Sequence, residues 1–393
     1  MIATAYEVVV VGGGPAGATA AHELAARGRT VLLLDRAGRI KPCGGAIPPR
    51  LVEDFAIPAH QLVARIAGAR MVAPSGRRVE MPIRDGYVGM VDRCTFDEWL
   101  RERARAAGAE RCEGTYLGIE RDTGGTAVVR YSDAQGVERC VRAQAVVGAD
   151  GAQSRVAREI PDSRDPPHVA AFHEVLRVPE GGVADYDGAR CDVYYQGRIS
   201  PDFYGWVFPH GATVSVGVGS AVKGYSLRKA TSELRATCGL ERAELVRREG
   251  APIPLHPRRR WDNGRDVVVV GDAAGVVAPA SGEGIYYAMA SARHAVDAVD
   301  ELLATGHRAA LSQVRRRFMR DHGRVFRVLG IMQWFWYSSD RRRERFVSIC
   351  RDADVQELTW QAYMHKRLVR GRPMAHARIF AKDLGHLLGL VRA

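Results

Sequence analysis

The chain has 393 residues, 46% of them hydrophobic, more than one ordinary core needs, so two closely packed domains are expected. Seven cysteines, an odd number with neither a CxxC pair nor an N-terminal signal pattern, argue against a disulfide framework and against a metal site, and fit a reducing cytoplasm. No apolar run reaches the roughly 18 residues of a spanning helix, and a net charge of +12 suits an anionic partner, nucleic acid or membrane, without choosing between them.

The first element is YEVVVVGGGPAGATAAHELAARGRTVLLLDRA. Val8 to Val11 form an apolar run expected of a strand buried on both faces of a parallel sheet. Gly12, Gly14 and Gly17 then fill GxGxxG and open a helix through Arg27, and TVLLLD follows as a second strand ending at Asp35. The first glycine makes the turn, the second lets the backbone approach a pyrophosphate, and the third packs helix on strand. Asp35 is placed to bind ribose hydroxyls. NAD and FAD both remain open at this point.

Lys41 to Pro49, KPCGGAIPP, has no period of its own. Pro42 with Gly44 and Gly45 makes a turn, and what Cys43 adds depends on its neighbours in space. MVDRCTFDEWLRERARAAGAE predicts a helix after Asp92 with Phe96, Leu100 and Ala104 on one face; Arg93 at its start is either solvated or a cofactor contact. From Val146, VVGADGAQSRVAR reads as a buried strand followed by Gly148, Asp150, Gly151 and Ser154. Alternation then predicts strands over Val193–Tyr195, Tyr204–Pro209 and Thr213–Val218, the second carrying Tyr204, Trp206, Phe208 and Pro209 as plain core or as the wall of a pocket.

From Val267 a further buried strand leads to Gly271 and Asp272, then through Gly282, Gly284 and Ile285 into a long helix. Asp150 and Asp272 are either ligand-binding acids or helix caps. Later come Arg315 to Arg317, the run VFRVLGIMQWFWY, and Arg341 to Arg343. Four contiguous aromatics cannot all face one core, so this region is a membrane-interface element or a buried helix with a solvated basic edge.

The order GxGxxG, GADGxxS and GDAAG resembles the FAD-binding fold shared by aromatic hydroxylases and geranylgeranyl reductases. With PCGG and YGWVFP added, the chain resembles the geranylgeranyl reductase family. KPCGGAIPP and the tail LTWQAYMHKRLVRGRPMAHARIFAKDLGHLLGL resemble its chlorophyll and bacteriochlorophyll branch. Asp35 stands where the wider superfamily usually has glutamate, and its shorter carboxylate still reaches a ribose. The resemblance implies an α/β fold: an FAD-binding Rossmann-type, aromatic-hydroxylase-like domain from 1–60, 85–165 and 262–310, an inserted β-sheet substrate domain from 61–84 and 166–261, and a helical C-terminal region over 311–393.

It further implies cofactor contacts from the fingerprint with Ala16, from Asp35 with Arg36, and from Cys43, Gly44 and Arg93. Asp150 and Gly151 would lie near flavin and pyrophosphate, and Asp272 on the ribityl chain. The amides around Gly282, Gly284 and Ile285 would face a reduced, anionic flavin ring. The PCGG loop would lie on the substrate side of the flavin, with Gly45, Tyr204, Trp206, Phe208 and Pro209 binding the prenyl chain.

The implied reaction saturates double bonds of a geranylgeranyl chain, as the diphosphate or on bacteriochlorophyll, with FAD as cofactor and NADPH as donor. An isolated alkene has no carbonyl to polarise it, so hydride delivery must be matched by a general acid: Cys43, a water near it, or Tyr204. The implied setting is the cytoplasmic face of a photosynthetic or cytoplasmic membrane, with peripheral contact and pigment-synthesis partner proteins, and no nucleic acid. The alternatives are a flavin monooxygenase of a hydrophobic aromatic, which has no need of PCGG, and a flavoprotein that only binds prenylated pigment.

Overall fold

A computed structural model describes residues 4–36, 41 and 43–366 of the chain; the part of the LTWQAYMHKRLVRG segment beyond 366 lies outside them. Two units account for the described residues: one drawn from Met1–Lys41, Arg93–His168 and Pro252–Arg324, the other from Pro42–Asp92, Val169–Ala251 and Val325–Ala393.

In the first unit the strand Ala5–Val11, with Val8 to Val11 buried, lies between two parallel neighbours, Val31–Asp35 and Glu138–Gly148. Val267–Val269 adds a further parallel strand beside Glu138–Gly148. Val11 sits opposite Gly148, and Gly148 opposite Val269, so the strands leading to GxGxxG, GADG and GDAAG end at one level. Parallel pairing thus brings stretches far apart in sequence to one edge, the carboxyl end of the strands, where open α/β sheets bind ligands. The helix Pro15–Ala26 packs on the helices Arg93–Ala106 and Ile285–Thr305. Phe96, Leu100 and Ala104 are buried together, as their helical spacing predicts.

The second unit holds a seven-stranded sheet in the order Leu245–Pro254, His168–Arg177, Thr213–Ser220, Gly205–His210, Arg190–Tyr194, Gly68–Val72, Arg78–Pro82. Two of these strands, Gly205–His210 and Thr213–Ser220, fall within two residues of the spans expected from alternation, and Arg190–Tyr194 begins three residues before the expected Val193. Tyr194, Val207, Val214, Val216 and Val218 on one face pack with Ala230 and Leu234 of the helix Leu227–Thr237. The period of two sends Trp206, Phe208, Ser215 and Gly217 to the opposite face.

The unit limits differ from those read off the sequence, for two physical reasons. Cys43 to Gly45 run into the strand Ala46–Ile47, which pairs with Val88–Met90 inside the second unit. The helix Gln313–Trp336 begins in the first unit, where Phe318 packs on Trp261 and Tyr287 with ring centroids 5.2 and 6.2 Å apart.

Candidate functional site

At the strand ends of the first unit, the glycines of GxGxxG play different parts. Gly12 has φ +103°, and a Cβ there would strike the carbonyl of Ala149; a Cβ on Gly17 would strike the carbonyl of Gly12. These two glycines therefore serve backbone approach. Gly14 is different: it caps the helix Pro15–Ala26 without any side-chain hydrogen bond, and among the described residues nothing lies within 4 Å of the position of its missing Cβ. Open space before an uncapped helix N-terminus suits a pyrophosphate. Ala16 packs toward the third motif, since a Cβ on Gly271 would come to 2.8 Å from its methyl.

Asp35 closes the second strand. Burial raises its pKa, while the backbone N–H of Gly13, the Arg101 guanidinium and the backbone N–H of Arg36 act in the other direction. Arg101 donates to both Asp35 and the Gly13 carbonyl, at 3.3 and 3.2 Å. Asp272 is buried on the short helical turn Gly271–Ala274 and is bonded to the Lys41 ammonium. Gly284 caps the helix Ile285–Thr305 without a side-chain bond, and its missing Cβ would lie 3.7 Å from Asp272 Oδ1. Gly282, at φ +66°, folds the approach by donating to the Ala278 carbonyl at 3.0 Å, and Ile285 is buried behind it.

Asp150 and Arg93, like Asp35 and Asp272, have protein partners. The Asp150 carboxylate accepts from the Ser154 hydroxyl and from the backbone N–H groups of Arg155 and Val156, at 2.7 and 3.2 Å for the latter two, so it caps the turn Val156–Glu159. Beside it Gly151, at φ +87°, leaves open space at its Cβ position. Arg93 is buried and gives a bidentate bond to Asp97, both contacts 2.7 Å, so it is not a solvated arginine. Taken together, two uncapped helix ends, carboxylates at the strand ends and cradles that a single Cβ would fill suit a group with sugar hydroxyls and a pyrophosphate.

The second unit brings Cys43 to Gly45 onto the YGWVFP strand; Pro42 lies outside the described residues. The Gly45 N–H donates to Cys43 Sγ at 3.3 Å, forming a tight turn. A Cβ on Gly44 would lie 2.8 and 2.9 Å from the Phe208 ring, and one on Gly45, at φ +71°, would lie 2.5 Å from both His210 Nε2 and the Val91 carbonyl. Tyr204 stacks on Phe203 with centroids 4.2 Å apart and meets Trp206 edge-on at 6.1 Å; Trp206 is 6.4 Å from Phe208. Burial, with Tyr337 and then Cys43 adding to it, raises the Tyr204 phenol pKa well above its ordinary value. Pro209 departs from the expected set: strand alternation and its pairing with Val214 place it on the Val207 face, away from Trp206 and Phe208.

Lys41 and Arg101 were not singled out by sequence reasoning. Their signals were weak: Lys41 adjoins the PCGG turn, and Arg101 shares the helix that opens at Arg93. Ser215, which bonds Trp206 from the adjacent strand, and His173, which bonds Ser215 from the strand beyond it, gave no signal, because their meeting depends on cross-strand register.

Among known families, an FAD binding domain matches residues 64–317 and an NAD(P)-binding Rossmann-like domain matches residues 10–64. The chain is 56% identical over 386 residues to a geranylgeranyl diphosphate reductase of Rhodobacter capsulatus, covering 98% of both chains. It is 38% identical over 399 residues to a geranylgeranyl diphosphate reductase of Synechocystis, covering 97% of both. A solved geranylgeranyl bacteriochlorophyll reductase-like protein of Thermoplasma acidophilum shares the fold, with TM-score 0.81 at 22% identity over 95% of this chain and 99% of that one. From the glycine cradle, the FAD-domain match and identity along nearly its whole length, the chain belongs to the geranylgeranyl reductase family of FAD-dependent oxidoreductases.

Proposed function

We propose that this enzyme saturates isolated double bonds of a geranylgeranyl chain, carried as the diphosphate or esterified to bacteriochlorophyll, to give a phytyl chain, with NADPH as the donor. The observation that carries this reading is the near-full-length identity to geranylgeranyl diphosphate reductases. The aromatic stripe Tyr204, Trp206 and Phe208, with Cys43 to Gly45 seated against it, supports a long apolar substrate.

FAD, once bound and reduced, supplies the hydride; the cradle of Gly12, Gly14, Gly17, Asp35 and Asp272 would hold it. The second carbon of each alkene takes a proton, and that proton is the chain's task. The raised Tyr204 pKa keeps its proton in place but makes the phenol a reluctant donor. Cys43 is only half-buried and can recover a proton from solvent, directly or through a water beside it, so the proposal assigns it the acid role.

The same reading includes peripheral contact with an anionic membrane on its cytoplasmic side. Of the four contiguous aromatics, Tyr337 is buried and Phe335 and Trp336 are half-buried, whereas Trp334 is 75% exposed. Ile331 is 64% exposed one turn before it, with Arg324, Arg327 and Arg341 also exposed. Apolar insertion flanked by arginines suits an anionic lipid surface, where partner proteins of pigment synthesis would also meet the enzyme. Among the described residues no helix is long and apolar enough to cross a membrane.

The test is incubation of the FAD-loaded enzyme with NADPH and either geranylgeranyl diphosphate or geranylgeranyl bacteriochlorophyll, followed by mass spectrometry. Products gaining hydrogens in pairs support the reading and identify the preferred carrier. Unchanged prenyl chains with both carriers, or uptake of an oxygen atom into the product, would overturn it.

A further inference from the structure

Behind the aromatic stripe runs a chain of polar groups, all within the second unit. Trp206 Nε1 lies 3.1 Å from Ser215 Oγ, Ser215 Oγ lies 2.7 Å from His173 Nδ1, and His173 Nε2 lies 2.8 Å from Glu249 Oε2. Glu249 Oε1 accepts from Arg247 Nε at 2.7 Å, and Arg247 Nη2 donates to Asp92 at 2.9 Å. Ser215 and His173 are buried, at 1% and 2% exposure.

One set of donor roles gives every group in the chain a partner. An indole N–H can only donate, so the Ser215 oxygen accepts from it. The Ser215 proton then goes to His173 Nδ1, and His173 carries its own proton on Nε2, donated to the Glu249 carboxylate. Each donor along this path has one acceptor, and one histidine tautomer satisfies them all.

The order Ser, His, Glu is also that of a hydrolase triad, but the geometry rules out that chemistry. The Ser215 oxygen is buried and already accepts the indole N–H, so no acyl carbonyl can reach it. The chain instead ends on a side chain of the stripe. Trp206 and His173 both pair with Gly217, one from each side, and a Cβ on Gly217 would come to 2.5 Å of both Trp206 Cε2 and His173 Cβ. The indole therefore lies over a glycine floor, pinned at its N–H edge and flanked by Tyr204 and Phe208.

We propose that His173, through Ser215 and braced by Glu249, is a positioning residue that locks the Trp206 indole and thereby sets the register of the prenyl chain. The proposal rests on the reading of this face as the prenyl-binding surface. A geranylgeranyl chain offers no polar handle along its length, so only wall shape can select which double bond is presented. An indole with a fixed plane supplies such a shape; one whose N–H has lost its acceptor would turn away to find another.

The test compares wild type, Ser215→Ala, Trp206→Phe and the double variant on geranylgeranyl diphosphate, reading KM, kcat and the proportions of partly and fully reduced products by mass spectrometry. Ser215→Ala and Trp206→Phe should each raise KM at least about fivefold and enrich partly reduced chains, while flavin reduction by NADPH stays at the wild-type rate. The double variant should be no worse than Trp206→Phe alone, because the serine acts only through the indole. Glu249→Gln, which still accepts from His173, should keep the wild-type product pattern where Glu249→Leu does not. Should Ser215→Ala fail to bind FAD, the Glu249 pair decides by itself. Additive losses in the double variant, or wild-type product proportions in both Ser215→Ala and Glu249→Leu, would overturn the proposal. Absence of prenyl reduction by wild type would instead sink the functional reading beneath it.

Discussion

Replacing either glycine of the PCGG turn by alanine should harm the protein by different amounts, and the order is set by what each new methyl meets. At Gly44 the Cβ would lie 2.8 and 2.9 Å from Phe208 Cδ2 and Cε2. Ordinary carbon contacts are about 3.5–4.0 Å, so the ring must retreat by roughly 0.7 Å. A half-buried ring can do so, and overpacking of this kind costs about 1–3 kcal/mol. At Gly45 the Cβ would lie 2.5 Å from the Val91 carbonyl, and Val91 N–H is itself bonded to the Gly45 carbonyl at 2.9 Å. That backbone cannot retreat without breaking the pairing. A φ of +71° adds roughly 1–2 kcal/mol for any residue with a Cβ, giving about 2–5 kcal/mol in all. Urea denaturation of the FAD-loaded variants, with FAD affinity measured in parallel, should rank Gly45→Ala below Gly44→Ala below wild type. Phe208→Leu should relieve Gly44→Ala and leave Gly45→Ala unrelieved. Equal stability of the two single variants, or relief of Gly45→Ala by Phe208→Leu, would refute this account of the turn.

Gly14→Ala should leave the apoprotein within about 0.5 kcal/mol of wild type, since its methyl meets nothing, yet weaken FAD binding at least tenfold by occupying the pyrophosphate approach; calorimetry and flavin titration check the two halves separately. Cys43→Ala should retain FAD and be reduced by NADPH normally, with a loss of about tenfold or more confined to flavin reoxidation by a prenyl substrate in stopped flow; wild-type reoxidation would remove Cys43 from the proton path. Burial lowers the pKa of His210, His22 and His294 below 6.5, so the unfolded chain takes up protons that the folded chain refuses. Stability should therefore be unaffected by these groups well above pH 6.5 and fall as pH drops through it toward their folded values; Tm measured in steps from about pH 7.5 to 5.5 should show the decline, and His210→Asn should make it shallower, the His22 and His294 contributions remaining. Trp334→Glu should reduce sedimentation with anionic vesicles at low salt while leaving turnover of soluble diphosphate intact; unchanged pelleting would argue against this helix as the contact.

The cradle of the first unit was legible because its signals are local. A four-valine strand, glycines at fixed offsets and a terminal acid each state their requirement within a few residues, and the shared strand-end level of Val11, Gly148 and Val269 follows from parallel pairing. Asp150 was legible only as an alternative, because a carboxylate that caps a turn and one that meets a ligand occupy the same kind of loop. The second unit was harder to read. Alternation found the YGWVFP strand and already separates Pro209 from Trp206 and Phe208, but which side chains of other strands meet Trp206 depends on pairing: Ser215 reaches it from the adjacent strand, and His173 stands behind Ser215 on the strand beyond. The aromatic run at 334–337 showed the same limit, since composition gave four candidates for exposure and helix geometry left only Trp334 mostly in solvent.

The most direct test of the account is a single turnover without oxygen or pyridine nucleotide. The enzyme is photoreduced, mixed anaerobically with geranylgeranyl diphosphate, and followed by flavin absorbance and by mass spectrometry of the lipid. The account predicts that flavin reoxidises with substrate alone, and that each equivalent of flavin oxidised adds two hydrogens to one prenyl chain. Flavin that stays reduced until air is admitted, with an oxygen atom then appearing in the product or no change in the lipid at all, would contradict it.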